Sequence, residues 1–145
     1  MKVVDLNVLL YAANADAAHH IACLRAWEGA LSSTEPVGLA WVVLLGFLRV
    51  ATHPSILPRP LGVEEAVARI DRWLAQPQVR ILEEGDEHWR LLKALLVEAG
   101  TAGNLTTDAH LAALAIANGA TLVSCDADFG RFHTLRWENP AAKRK

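Results

Sequence analysis

Asn104-Leu105-Thr106-Thr107-Asp108-Ala109-His110-Leu111-Ala112-Ala113-Leu114-Ala115-Ile116-Ala117-Asn118-Gly119 reads as one helix between two loops. Leu111, Leu114, Ala115 and Ile116 recur at helical spacing and give it an apolar face. Thr106 or Thr107 is expected to cap its start, because a side-chain oxygen there can accept from a backbone N–H left unpaired in the first turn. Asn118-Gly119 is a stop at which the backbone can turn left-handed. Asp108 is not needed to make this helix. Two readings of it stand side by side: an anion that complements the helix dipole by up to about 1 kcal/mol, or one member of a larger acidic site.

The residues that follow decide between fold classes. Ala120-Thr121-Leu122-Val123-Ser124-Cys125 is short and apolar enough to be a buried strand, and it runs into Asp126-Ala127-Asp128-Phe129. The same grammar opens the chain. Val3-Val4 reads as a buried strand with Asp5 at its carboxyl end, and Leu6 to Ala13 as a short helix. Asp5 can cap that helix, point into a ligand crevice, or do both. Between these ends, strands at Val37–Leu39 and Val79–Leu82 alternate with helices at His19–Ala30, Ala40–Val50, Glu64–Ala75 and Glu87–Ala99, and Leu135–Glu138 is an edge strand. Strands alternating with helices predict a three-layer α/β/α sandwich with a mostly parallel central sheet and right-handed crossovers. Residues 1–140 are expected to form a single domain, with 141–145 as a basic tail. Trp41, Trp73 and Trp89 are assigned to the core, as are Ala66, Val67, Ile70 and Leu74 of one helix and Leu92, Leu95 and Leu96 of another.

With 145 residues, 52% hydrophobic and 21% charged, the chain suits one compact core rather than disorder. A net charge of −2 offers no global basic field, which argues against a protein that coats a duplex. Cys23 and Cys125 are the only cysteines, too few for a disulfide framework or a zinc motif, and both read as small core residues. Asp5 interrupts any early apolar run, and Val37 to Leu48 is too short for the roughly 20 residues a membrane span needs. A cytoplasmic protein that does not enter the membrane is the expectation.

Asp5, Asp108 and Asp126 therefore stand at strand ends or a helix start, with Asp128 two residues further on. Loops beyond the carboxyl ends of parallel strands share one rim, so these groups are expected to meet. Carboxylates packed that closely repel and take up protons unless a cation joins them. Hard oxygen ligands suit Mg²⁺ or Mn²⁺, which also accept phosphate oxygens and so support attack on phosphorus. No phosphate-cradling glycine loop and no nucleophilic-serine elbow is present.

Asp5-Leu6-Asn7-Val8-Leu9-Leu10-Tyr11, Thr107-Asp108-Ala109-His110-Leu111-Ala112-Ala113-Leu114-Ala115 and Ser124-Cys125-Asp126-Ala127-Asp128-Phe129, in this order, resemble the motifs of PIN domains, and in particular of the VapC-type toxins of bacterial toxin–antitoxin pairs. The resemblance extends over nearly the whole chain, to Leu135-Arg136-Trp137-Glu138-Asn139-Pro140. It implies a metal-dependent endoribonuclease that cuts RNA by in-line attack of water, works as a homodimer, and is covered by a VapB-like antitoxin that places a basic side chain near the carboxylates. It assigns Asp5, Asp108 and Asp126 as catalytic, metal-binding aspartates, with Asp128 an additional ligand. Substrate-binding residues are left unassigned.

One position departs from the pattern. The family carries a glutamate in the third helix where this chain has Gly46. Two readings follow: a site one carboxylate short, with weaker metal binding, or a glycine that permits close packing. The first opens an alternative function, a catalytically weak or degenerate PIN protein that binds RNA or a partner. Arg49, the one charge in that helix, is expected in a buried ion pair at the site rim, or on RNA phosphate.

Overall fold

The computed structural model describes residues 1–143. Residues 144 and 145, the basic end of the expected tail, lie outside them. Among the described residues, five strands, β1 (Lys2–Val4), β2 (Val37–Ala40), β3 (Val79–Leu82), β4 (Thr121–Val123) and β5 (Arg136–Glu138), form one sheet in the order β3-β2-β1-β4-β5. Every pairing is parallel, with Val3 beside Gly38 on one side and Leu122 on the other. Six α-helices connect the strands: α1 (Leu6–Ala13), α2 (His20–Ser32), α3 (Trp41–Ala51), α4 (Val63–Leu74), α5 (His88–Ala99) and α6 (Thr106–Ala117). The α/β sandwich expected from the strand–helix alternation is what forms.

The strand order fixes where a ligand can sit. The chain leaves β1 toward β2 and β3, then crosses back to β4 and continues the opposite way to β5. Right-handed crossovers therefore send α1 to α4 to one face and α5 and α6 to the other. Helix contacts follow this division, α1 against α2 and α3, α3 against α4, and α5 against α6. The connection direction reverses between β1 and β4, and the crevice beyond the carboxyl ends of those two strands is where open α/β sheets hold ligands. Asp5 follows β1 directly, and Asp126 lies three residues beyond β4.

Val3, Val8, Leu9, Leu39, Leu44, Phe47, Leu114, Leu122, Phe129 and Phe132 are fully or almost fully buried and make up the centre of the core. Trp73 packs edge-on to both Trp27 and Phe47, with ring centroids 5.6 and 4.8 Å away. The other two tryptophans assigned to the core are on the surface: Trp41 is 55% exposed and Trp89 64%. Val67 and Leu74 also face outward, whereas Ala66 and Ile70 are buried as expected. Mixed polar and apolar positions tell the inner face of a helix from the outer one. Where nearly every residue is apolar, as in α3, periodicity carries no such reference.

The opening stretch departs from expectation at its start. Neither Thr106 nor Thr107 caps α6, and the position before the helix is Leu105, with no side-chain cap. A 3-10 turn over Gly103–Leu105 runs directly into the helix and supplies the first turn's continuity, so both threonines fall inside the helix and are exposed. Its end behaves as read: α6 stops at Ala117 and Gly119 takes a left-handed φ of 59°.

Candidate active site

Each acid reaches the rim for a local reason. Asp5 caps α1, its Oδ1 accepting from the Leu6 N–H at 2.7 Å. Its backbone N–H donates to the Val123 carbonyl at 3.0 Å, which ties the end of β1 to β4. Asp126 opens the short 3-10 helix over Ala127–Arg131, with its Oδ1 accepting from the Asp128 N–H at 2.9 Å. Asp108 lies in the first turn of α6, where the helix dipole favours an anion. Capping and dipole complementarity are thus real, and they present the acids rather than explain them away.

Asp108, Asp126 and Asp128 converge: one carboxylate oxygen from each lies within 4.8 Å of the others, and no other such group of three occurs among the described residues. Asp5 stands beside the trio. It lines a cavity of about 460 Å³ together with Asp108, Leu45, Gly46, Arg49 and Thr107. Asp108 shows the strain of the arrangement. Partial burial, followed by the charges of Asp126, Asp5 and Asp128, raises its pKa to about 6. The Asp5 pKa is also raised, chiefly by burial and further by Asp126, against the opposing hydrogen bonds from Ser124, Leu6 and Asn7.

Two further residues of the acidic motifs, Ser124 and Asn7, organise the site. Ser124 is the one buried polar residue among those described. Its Oγ donates to Asp5 Oδ2 at 2.7 Å and accepts from Asn7 Nδ2 at 3.1 Å and from the Asp126 N–H at 3.0 Å. Asn7 Nδ2 also reaches Asp5 Oδ2 at 3.1 Å, while Asn7 Oδ1 accepts from the Cys125 N–H at 3.0 Å. A hydroxyl two residues before Asp126 and an amide two residues after Asp5, both at the ends of buried strands, were the available signals.

Gly46 faces the same cavity. A Cβ there would come within 2.7 Å of Leu6 Cδ2 and within 3.6 Å of Leu6 Cγ. The close approach is therefore to the movable end of one side chain. Arg49 is exposed rather than buried in an ion pair, and it forms no salt bridge with any described residue. Glu35, the nearest acid upstream of α3, does not line the cavity and pairs with the N-terminal ammonium at 2.6 Å. Cys23 and Cys125 are free thiols with their sulfurs 3.4 Å apart. A second concavity of about 350 Å³, between Trp27 and Pro140, is largely apolar and holds no acidic group besides Glu138, which pairs with Lys2 at 3.5 Å.

The donor set suits a hard divalent cation. Three carboxylates of one sign crowd into one small volume, and the raised Asp108 pKa is the electrostatic cost that a cation would remove.

An α/β sheet with aspartates at its topological switch point is the arrangement of a PIN domain, and residues 2–134 match the PIN-domain family model. The chain belongs to the PIN-domain family, in its VapC branch. It is 48% identical over 142 residues to Ribonuclease VapC37 of Mycobacterium tuberculosis (strain ATCC 25618 / H37Rv), covering 98% of this chain and 99% of that one. Ribonuclease VapC33 of the same strain is 39% identical over 140 residues, covering 97% and 98%. Among solved structures, VapBC2 from Rickettsia felis bound to a DNA fragment from its promoter superposes with a TM-score of 0.70 at 21% identity, over 95% of this chain and 97% of that chain. Mycobacterium tuberculosis VapC20, a Sarcin-Ricin loop cleaving toxin, gives 0.68 at 21% identity, over 94% and 99%. At these identities the two structures speak for the fold.

Proposed function

We propose that this chain is an endoribonuclease, the toxin component of a VapBC-type toxin–antitoxin pair, that hydrolyses RNA phosphodiester bonds with a bound divalent cation, Mg²⁺ or Mn²⁺. The observation that carries the reading is the carboxylate trio at the switch point, in a chain related end to end to ribonucleases of the VapC kind. Asp108, Asp126 and Asp128 would hold the ion, with Asp5 completing the acidic wall. When bound, a cation of this class neutralises the carboxylates and lowers the barrier to attack on phosphorus.

The chain's own residues do the rest. Ser124 and Asn7 fix the plane of the Asp5 carboxylate, and the Leu6 N–H engages its other oxygen. Asp5 is thereby set to accept a hydrogen bond from a water that attacks in line. The Asp128 N–H orients Asp126 within the loop after β4. Rigid placement of this kind is what lets small shifts in the surrounding residues change rates by orders of magnitude.

The partners follow from the same reading. A VapB-like antitoxin with a basic side chain would meet the acidic wall. A homodimer is supported by exposed apolar residues that do not line the cavity, Trp89 at 64% and Val97 at 80% on α5. The Gly46 substitution favours a weaker nuclease or an RNA-binding module as the second reading, since α3 contributes no carboxylate to the cavity.

Incubation of total RNA with purified protein in Mg²⁺ or Mn²⁺, with EDTA and Asp108→Asn as controls, tests the proposal. Cleavage that depends on both the cation and Asp108 is the expected result. Cleavage that survives both controls overturns the metal mechanism, and binding without cleavage favours the second reading.

A further inference from the structure

The RNA-binding surface is the part of the site that the carboxylates do not specify, and α3 carries an unused candidate for it. Trp41, Leu45 and Arg49 are spaced four residues apart, so they lie on one face of the helix. All three are exposed, Trp41 by 55% and Leu45 by 59%. Leu45 and Arg49 line the cavity that also holds Asp5 and Asp108. Trp41 follows β2 without a gap, so it stands at the same carboxyl rim of the sheet, next to β1, which Asp5 follows directly. The stripe therefore leads from an aromatic face, over an aliphatic side chain, to a guanidinium beside the acids.

Resting on the ribonuclease reading above, we infer that Trp41, Leu45 and Arg49 form the track for an unpaired RNA strand, with one base stacked on Trp41 and a phosphate on Arg49. A tryptophan with more than half its surface in water has hydrophobic area available, and a base supplies a flat partner for it. Arg49 makes no ion pair with a described residue although it lines the same cavity as Asp5 and Asp108, which leaves its planar fork free for phosphate. Trp41 and Arg49 are about 12 Å apart along the helix axis, a span that a splayed single strand can bridge. Bases paired within a duplex cannot present a face to Trp41, so the track selects loops, bulges and ends. A net charge of −2 makes such local contacts matter more, because the protein has no general attraction for a polyanion.

The test measures binding rather than cleavage. Fluorescence anisotropy in EDTA, with a labelled 12-nucleotide random-sequence RNA and a 12-base-pair RNA duplex as probes, needs no catalytic turnover. The wild-type chain is expected to prefer the single strand. Trp41→Ala should weaken single-strand binding roughly 10- to 100-fold, while Trp41→Phe retains most of it. Arg49→Gln should reduce the slope of log affinity against log salt by about 0.7. Val63→Ser, an exposed change on α4, should alter neither, and far-ultraviolet circular dichroism verifies folding of each variant. If wild type binds and cleaves RNA while Trp41→Ala binds it equally well, the track is wrong and the ribonuclease reading stands. If wild type neither binds nor cleaves RNA, both fall. If Trp41→Ala changes sedimentation or antitoxin capture but not RNA affinity, α3 is a protein interface and the inference is overturned.

Discussion

Ser124 Oγ lies 2.7 Å from Asp5 Oδ2, a contact between residues 119 positions apart in the chain. The same hydroxyl takes hydrogen bonds from Asn7 and from the backbone of Asp126, so a single buried oxygen joins the end of β1 to the loop after β4. It sets the distance across the crevice in which the acids meet.

Ser124→Ala removes that junction and leaves three polar groups short of a partner. A loss of roughly 1–3 kcal/mol in stability is expected. Mn²⁺ affinity should fall about 10- to 100-fold, as when a group that supports a ligand is removed. Urea denaturation and isothermal titration read the two effects. An unchanged Mn²⁺ titration in a folded variant means that Ser124 does not position the acids.

Asp108 should make the metal-free protein less stable as pH rises. Its pKa is about 6 in the fold against 3.8 as the ordinary value, so between those pH values the folded state binds more protons than the unfolded one. Stability is then highest below about pH 4, falls as pH rises toward 6, and stays lowered above it. The carboxyl is part exposed, so solvent screening holds the effect to roughly 1 kcal/mol, a few degrees in melting temperature. Asp108→Asn should melt higher than wild type at pH 7.5 without metal and lose the part of the pH dependence that Asp108 carries. Because cation and proton compete for the same oxygens, Mn²⁺ should stabilise wild type more at pH 7.5 than at pH 5. Melting curves at several pH values, with and without Mn²⁺, decide the matter, and an identical profile for Asp108→Asn would refute it.

Gly46→Glu should tighten Mn²⁺ binding. Position 46 faces the cavity of Asp5 and Asp108, and the obstruction to a side chain there is the end of Leu6, which can rotate. Removing a helical glycine also favours the helix by about 1 kcal/mol, which offsets part of the cost of moving Leu6. Combining the change with Leu6→Ala opens the space fully. A titration indistinguishable from wild type in both variants would show that α3 cannot contribute a ligand.

The tryptophans should separate sharply in stability. Trp73→Ala empties a site bordered by Trp27 and Phe47 and should cost roughly 3–5 kcal/mol. Trp89→Ala, at a surface position, should stay within about 0.5 kcal/mol. Denaturation at low protein concentration keeps self-association out of the comparison. Equal losses would contradict the burial described for α5.

The alternation of short apolar strands with helices was legible from the sequence, and so were the acids after the first and fourth strands and in the first turn of α6. These are local properties: hydrophobic period, strand length and the residue at a chain reversal are all written within about ten neighbouring positions. The parallel sheet follows from them, because connections carrying helices between strands leave little room for antiparallel pairing. Asp5, Asp108, Asp126 and Asp128 are therefore singled out by the sequence alone.

The tertiary structure alone decided which of them touch. Asp108, Asp126 and Asp128 share a volume while Asp5 borders it, since that depends on the entry of α6 relative to the loop after β4. The role of Ser124 was hidden for the same reason, because its partners Asn7 and Asp5 lie at the other end of the chain. The sequence alone puts Trp41 in the core because a helix of nearly continuous apolar residues does not mark its outer face, and only packing against α1, α4 and β2 leaves that face in water. The chemistry available to this chain is written in residue order, and the distances over which it acts come from strand order.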